Sequence, residues 1–356
     1  LAGRAILFCA VFLILFASSL FPQKNYFYTG KEYGSEALFN PVSLFLNAGY
    51  DILQINRIGR GIFEFDYRAS SQNLFKSLGS PLRQINDYGW NLFLTSEIFP
   101  LNFDPKNAQW FPNYQIHLIG GGMVFTKLKE WYRHHGVPEP ALMSFVTWSG
   151  IRIFNEAVEN IGIGGANVDP IADLYFFDLA SFILFSFDNV NEFFSEDLHL
   201  ADWSLQPVIG IPSRALQNNG QYFSIKIKLP FSEKLSLFYH FGMASHLGLS
   251  YAIDDSDNIS AGIGGRARNL INVDNTRRHN TINTVFEAGV FWDRNHSLMA
   301  SLLLSARDEY CVHLNVFPGV LKIGEFSPGF FWALNRNQHP TWGITTRLGF
   351  GFGYSN

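Results

Sequence analysis

The chain closes on PTWGITTRLGFGFGYSN, in which Trp342, Ile344, Thr346, Leu348, Phe350, Phe352 and Tyr354 alternate with Gly343, Thr345, Arg347, Gly349, Gly351 and Gly353. A period of two is the mark of a β-strand with two unlike faces. One face here is large and apolar, and the other is nearly bare. The same alternation recurs upstream. Phe223, Ile225, Ile227 and Leu229 are interleaved with Ser224, Lys226 and Lys228, and Leu235, Leu237, Tyr239 and Phe241 with Ser236, Phe238 and His240. Leu247, Leu249, Tyr251 and Ile253 continue it. Further strands fit 203–211, 258–265, 281–292, 296–306, 310–317, 320–333 and 341–354, with DDSDN, DRN and RDE as turns between them. The expectation is an antiparallel series of about ten strands, within a range of about 8–12.

Alternation leaves open which face meets which solvent. A soluble barrel turns its apolar residues inward, and a membrane barrel turns them outward. The small-residue faces decide between them. In a soluble barrel they would be solvated and rich in Lys, Glu, Asp and Arg. Here they are mostly Gly, Ser, Thr, Ala and Asn, with occasional charges such as Lys226, Lys228, Glu287 and Arg347. That composition suits a crowded interior, and the large residues suit lipid. Only 16% of residues are charged, against a usual share of about 25%, and 16% are aromatic. A net charge of −4 gives no reason to expect nucleic acid as a partner.

The first residues, LAGRAILFCAVFLILFASSLFPQK, place Arg4 before an apolar run from Ala5 to Phe16, followed by Ala17, Ser18 and Ser19. That is the order of a secretory signal peptide, and the run is short for a membrane-spanning helix. The expected organisation is a signal peptide over 1–22, an apolar helical region over 23–200 and an outer-membrane β-barrel over 201–356. The fold class is therefore α+β. Cys9 falls in the leader, so Cys311 has no disulfide partner and reads as a small buried hydrophobe. If the first strand rises from the periplasm, the connections PFSE, DDSD, DRN and PG form the short periplasmic set, opposite longer outer loops.

In the helical region, 112–136 starts near Pro112 and ends in RHHG, a basic last turn before a C-cap glycine. A second helix is expected over 141–160. A third runs from Asp169, with Asp169 as its cap and Pro170 at its first position, to about 187. NPVSLFLNAGYDILQI, INDYGWNLFLTSEIFP and NVNEFFSEDLHL also read as helical, and GIFEFDYRA reads as a strand. IGGGM lies inside a helix with no Lys-Ser or Lys-Thr after it, so it implies close helix packing rather than a phosphate loop. GIGGAN reads as a helix end. TRRH, with Arg266 and Arg268 near its base, reads as a solvated basic loop. The common hydrolase, redox and zincin motifs are absent from the sequence.

Arg152, Asn155, Glu156 and Glu159 stand at i, i+3, i+4 and i+7, making one polar stripe on an apolar helix. His117 lies on the first helix, and Asp169 and Asp173 stand one turn apart on the third. Converging in a bundle, His117, Glu156, Glu159 and Asp173 have the chemistry of a buried acid/base or metal site. The alternative is a structural polar cluster of Arg152, Asn155, Glu156, Glu159 and His117, in which Arg152 pairs with Glu156 and Asp169 caps a helix. The structural reading is preferred, because buried charges generally occur in pairs. It commits no catalytic residue, cofactor or metal.

The string NYQIHLIGGGM…KEWYRHHG…NEAVEN…DPIADLYFFD ahead of a barrel resembles a group of uncharacterised Gram-negative envelope proteins. The resemblance covers roughly 40–203. It implies an outer-membrane or periplasmic setting and transfers no catalytic residue. The functional expectation is a non-enzymatic outer-membrane protein of structural or interaction role, part of a larger assembly, with outer-membrane lipid and other envelope proteins as partners. A lipid-modifying enzyme using the helical cluster and a narrow channel or transporter are the alternatives.

Overall fold

The computed structural model describes residues 24–55, 61–100, 110–160, 167–272, 280–306 and 310–355. The leader over 1–22, most of GIGGAN and the TRRH loop lie outside the described residues. The fold is α+β. Helices occupy the first part of the chain, from Ser35–Leu38 to Phe193–Asp197, and strands the remainder.

The strands are β1 (Ala201–Asp202), β2 (Val208–Gly210), β3 (Leu216–Gln217), β4 (Phe223–Lys228), β5 (Leu235–Phe241), β6 (Ala244–Ala252), β7 (Asp257–Asn272), β8 (Asn280–Arg294), β9 (Ser297–Ser305), β10 (Val312–Val316), β11 (Gly329–Leu334), β12 (Pro340–Thr345) and β13 (Gly351–Ser355). They form one thirteen-stranded sheet in the order β1-β4-β5-β6-β7-β8-β9-β10-β11-β12-β13-β2-β3. Every neighbouring pair is antiparallel except β13 and β2, which run parallel.

Thirteen strands exceed the expected range, for three local reasons. The closing segment is a hairpin, with Trp342 opposite Tyr354 and Ile344 opposite Phe352. The turn over 346–350 preserves the parity of the alternation, so two strands read as one. Gly349 sits in that turn at φ +99°, a conformation glycine accepts readily. Phe350 is consequently half-buried in the turn, although its ring still meets Phe352 at 5.5 Å. Second, a short strand at Leu216–Gln217 that the alternation did not mark pairs with β2. Third, the expected strand over 203–211 keeps only β2, and a separate fragment, β1, stands just ahead of it. β1 pairs with β4, and β2 pairs with β13. Between them Trp203 N donates to Tyr222 O at 2.8 Å and Leu205 N to Gly220 O at 2.9 Å.

The two faces of the sheet are chemically inverted relative to a water-soluble sheet. The exposed face carries Leu247, Leu249, Ile263, Phe286, Val290, Leu302, Leu304, Ile344 and Phe352, with Phe352 56% exposed. The buried face carries Phe238, His240, His246, Arg266, Glu287, Phe291, Asp293, His313 and Asn315. Its charges are paired: Lys226 with Asp293, and Arg266 Nη1 with Glu287 at 3.4 Å. The loop asymmetry departs from expectation. Pro318 and Gly319 only begin the connection 317–328, which falls on the same edge as 253–256 and 295–296 and outlasts both. Cys311 is half-buried rather than buried, and its Sγ donates to Leu334 O at 3.1 Å.

Helix starts follow their caps. Asn40 accepts from Val42 N and Ser43 N at 2.9 and 3.0 Å, while Ser43 Oγ accepts from Asn40 N, and Pro41 opens the helix Pro41–Ala48. Asp66 accepts from Ala69 N at 2.9 Å and starts the helix Tyr67–Gly79. That cap ends the alternation of GIFEFDYRA, which forms turns and a helix instead of a strand. Asp169 is the first helical residue rather than the cap, which is Val168. No single helix among the described residues is long and apolar enough to cross a membrane. The bent pair Asp169–Leu184 and Asp188–Asp197 meets that test only when taken together.

The helices form a core of Met123, Phe125, Leu128, Trp148, Phe182 and Phe185 that continues onto Phe223 of β4 and Phe241 of β5. The IGGGM glycines permit it. A Cβ on Gly120 would stand 2.5 Å from the Phe223 ring, and one on Gly122 would stand 2.1 Å from the Phe185 ring. Gly150, in the helix Pro140–Glu159, has open space instead. Gly122→Ala should therefore destabilise the fold by about 1–3 kcal/mol through overpacking. Gly150→Ala should stabilise it by about 0.5–1 kcal/mol through helix propensity. Urea unfolding of the two variants under identical conditions checks the opposite signs.

Candidate functional site

The helical region does bring the polar stripe and His117 together. His117 lies in the wide, π-helical stretch Trp110–Gly120, Arg152 to Glu159 on the helix Pro140–Glu159, and Asp173 and Asp178 on a third helical run. Asp173 and Asp178 are five residues apart, which in an α-helix would turn them to different faces. The stretch between them, Asp173–Phe177, is π-helical, and its wider turn presents both to His117. His117 Nε2 is 3.5 Å from Asp173 Oδ2, and Nδ1 is 3.4 Å from Asp178 Oδ1.

Arg152 is held by Asp178, not by Glu156. Its Nε donates to both Asp178 oxygens at 3.0 Å, and its Nη2 stands 2.9 Å from Oδ1. The Nη2 group also sits against His117 Nδ1. Sequence reasoning missed Asp178 because α-helical spacing from Asp169 and Asp173 does not reach it. Glu156, the expected partner, is buried with neither carboxylate oxygen hydrogen-bonded. Asp173 Oδ1 and Asn155 Nδ2 are likewise buried without a hydrogen-bond partner. Glu159 and Asp169 are half-buried beside Glu156.

Electrostatics follow from this geometry. Burial would raise the Asp178 carboxyl, but Arg152 and His117 outweigh it and hold it below the ordinary value. Burial, then Arg152, pushes His117 down, so it is a neutral imidazole near pH 7. Burial raises Glu156 well above the usual range, with Glu159 and Asp169 adding to it. Burial and then Glu156 do the same to Asp173. A cavity of about 60 Å³, with room for a few water molecules, lies among His117, Arg152, Asn155, Glu159, Asp169 and Asp51. Asp51, a further buried acid that the sequence did not single out, accepts from Gln221 N at 3.1 Å. Burial pushes its pKa up to about 7 against that hydrogen bond, with Glu159 adding to the rise.

No family model matches the chain, and neither a curated protein nor a solved structure matches it.

Two outcomes are expected. Asp178→Ala strands Arg152 without its counter-charge and should cost about 3–5 kcal/mol, measured by urea unfolding. Asp51 has a raised folded-state pKa, so its contribution is fully present below about pH 4, the unfolded value, and is lost as pH rises through about 7. Asp51→Asn keeps an oxygen for Gln221 N and should flatten the pH dependence of stability across that window.

Proposed function

We propose that the chain is a β-barrel protein of a Gram-negative outer membrane, exported by a leader over 1–22, with a structural or interaction-mediating role in the envelope. The inversion of the sheet's faces carries this reading. In water, a continuous exposed patch built from Leu247, Leu249, Ile263, Val290, Leu302 and Leu304 would be an aggregation surface. Against lipid it is the required surface, and the buried charge pairs then belong to an interior.

The run 201–210 supports closure, since its beginning bonds to β4 and its end to β13, at opposite ends of the strand series. The parallel β13–β2 pairing departs from the all-antiparallel closure usual in bacterial barrels. A structural role is favoured over a channel by the filling of the buried face, where Trp203, Phe238, Phe291 and Phe331 are all inaccessible. The helical region covers part of the apolar face through Phe223 and Phe241, and Tyr239 Oη donates to Gln115 Oε1 at 2.8 Å. It thereby supplies a platform to which other envelope proteins would attach.

The protein should fractionate with outer membranes and resist extraction by high salt and carbonate; recovery in the soluble periplasmic fraction defeats the proposal. Phe352→Arg should impair insertion, because Arg on a lipid face costs about 2–4 kcal/mol at the bilayer midplane. A lipid-confined label should modify cysteines at 352 and 354 and spare those at 351 and 353. The reverse pattern would invert the sidedness.

A further inference from the structure

We infer that His117, Glu156 and Asp173 form a binding site for one divalent transition-metal ion of the Zn²⁺ type. One ligand atom from each residue lies within 4.8 Å of the other two, and all three residues are buried. His117 Nε2 and Asp173 Oδ2 are already 3.5 Å apart. Donors about 2.0–2.1 Å from a tetrahedral ion stand roughly 3.3–3.4 Å from one another, so this pair already has nearly the separation that an ion requires.

The independent observation is the set of orphaned oxygens. Buried polar atoms in folded proteins are nearly always hydrogen-bonded. Both Glu156 oxygens and Asp173 Oδ1 break that rule side by side. The nearby guanidinium does not relieve them: Arg152 Nε and Nη2 engage Asp178, and Nη2 also meets His117 Nδ1. On binding, Glu156 and Asp173 give up their protons, and the two negative charges of the carboxylates beside a neutral imidazole are balanced by the divalent ion.

Asp178 completes the arrangement. A ligating histidine commonly donates its other ring N–H to a carboxylate, which fixes the tautomer and aims the ligating nitrogen. With Nε2 on the ion, the proton resides on Nδ1, facing Asp178 Oδ1 at 3.4 Å. Arg152 Nη2 must then slide off Nδ1 along the Asp178 carboxylate that it already grips. Asp178 and Arg152 are thus positioning residues. One nitrogen and two oxygens, with no sulfur, favour Zn²⁺ or Mn²⁺ over Cu⁺, and the imidazole disfavours Ca²⁺ and Mg²⁺. The adjoining cavity, lined by His117, offers room for a water ligand.

The test uses the full chain in detergent, stripped with a chelator and then equilibrated with Zn²⁺, Mn²⁺ or Ca²⁺. The wild-type protein should retain about one equivalent of Zn²⁺ per chain after desalting, and no Ca²⁺. Its melting temperature should rise with added Zn²⁺. The double variant Glu156→Gln/Asp173→Asn should be at least as heat-stable as the stripped wild type, yet bind Zn²⁺ about 100-fold more weakly, with no thermal shift. Loading with Co²⁺ should give visible ligand-field bands that change in His117→Gln, a readout that stands even where the double variant does not fold. A wild-type chain that retains no Zn²⁺ or Mn²⁺, undiminished Zn²⁺ binding by the folded double variant, or Co²⁺ bands indifferent to His117 would each overturn the assignment.

Discussion

Charge taken out of water has to be neutralised at short range, and this molecule places its charges accordingly. On the sheet, Lys226 meets Asp293 and Arg266 meets Glu287 across the buried face, which frees the opposite face to be apolar. In the helices, Arg152 meets Asp178 in the same way, and Lys127 Nζ meets Asp202 Oδ2 at 3.0 Å where the helices reach β1. Glu97 leaves one carboxylate oxygen outside this pattern, whereas Glu156 and Asp173 leave three side by side. Their exception is chemically specific, and for that reason it points to a ligand rather than to loose packing.

The N-terminal segment joins the two halves of the fold. Ser35 Oγ donates to Asp202 O, and Leu298 N donates back to Ser35 Oγ at 3.2 Å. Farther along, Asn47 Nδ2 donates to Leu205 O and accepts Gly220 N at its Oδ1, each at 2.9 Å. Gln54 Oε1 accepts from Tyr222 Oη at 2.7 Å and from Arg266 Nη2 at 3.3 Å. Residues 35–54 therefore lie along the stretch where β1 passes toward β2, and they satisfy backbone groups that the broken strand leaves without a ladder partner.

Periodicity carried much of this fold into the sequence, and it failed where parity or pitch was hidden. The alternation in β4, β5 and β6 is legible because each position has one burial state. The β12–β13 hairpin was not, because its turn keeps the phase and carries no Asn-Gly or Asp-Gly signal. Alternation in GIFEFDYRA misled, since Asp66 caps a helix there. The polar stripe from Arg152 to Glu159 was legible as an α-helical face, and His117 was a reasonable companion. Asp178 was not legible, because a π-helical turn sets it beside Asp173 and no residue pattern announces that turn. The Arg152–Glu156 pairing was therefore replaced by Arg152–Asp178.

The parallel contact of β13 with β2 has a kinetic meaning. Val208, which faces Gly351, is made long before the last strand exists. The edge of β2 that β13 covers must then wait while every intervening hairpin is made. A contact so remote in sequence pays its loop-closure entropy late, and slow completion of the sheet is the expected result. Meanwhile an apolar sheet with an open edge is prone to stick to its own copies. Shielding of that edge until β13 arrives therefore favours correct pairing over self-association.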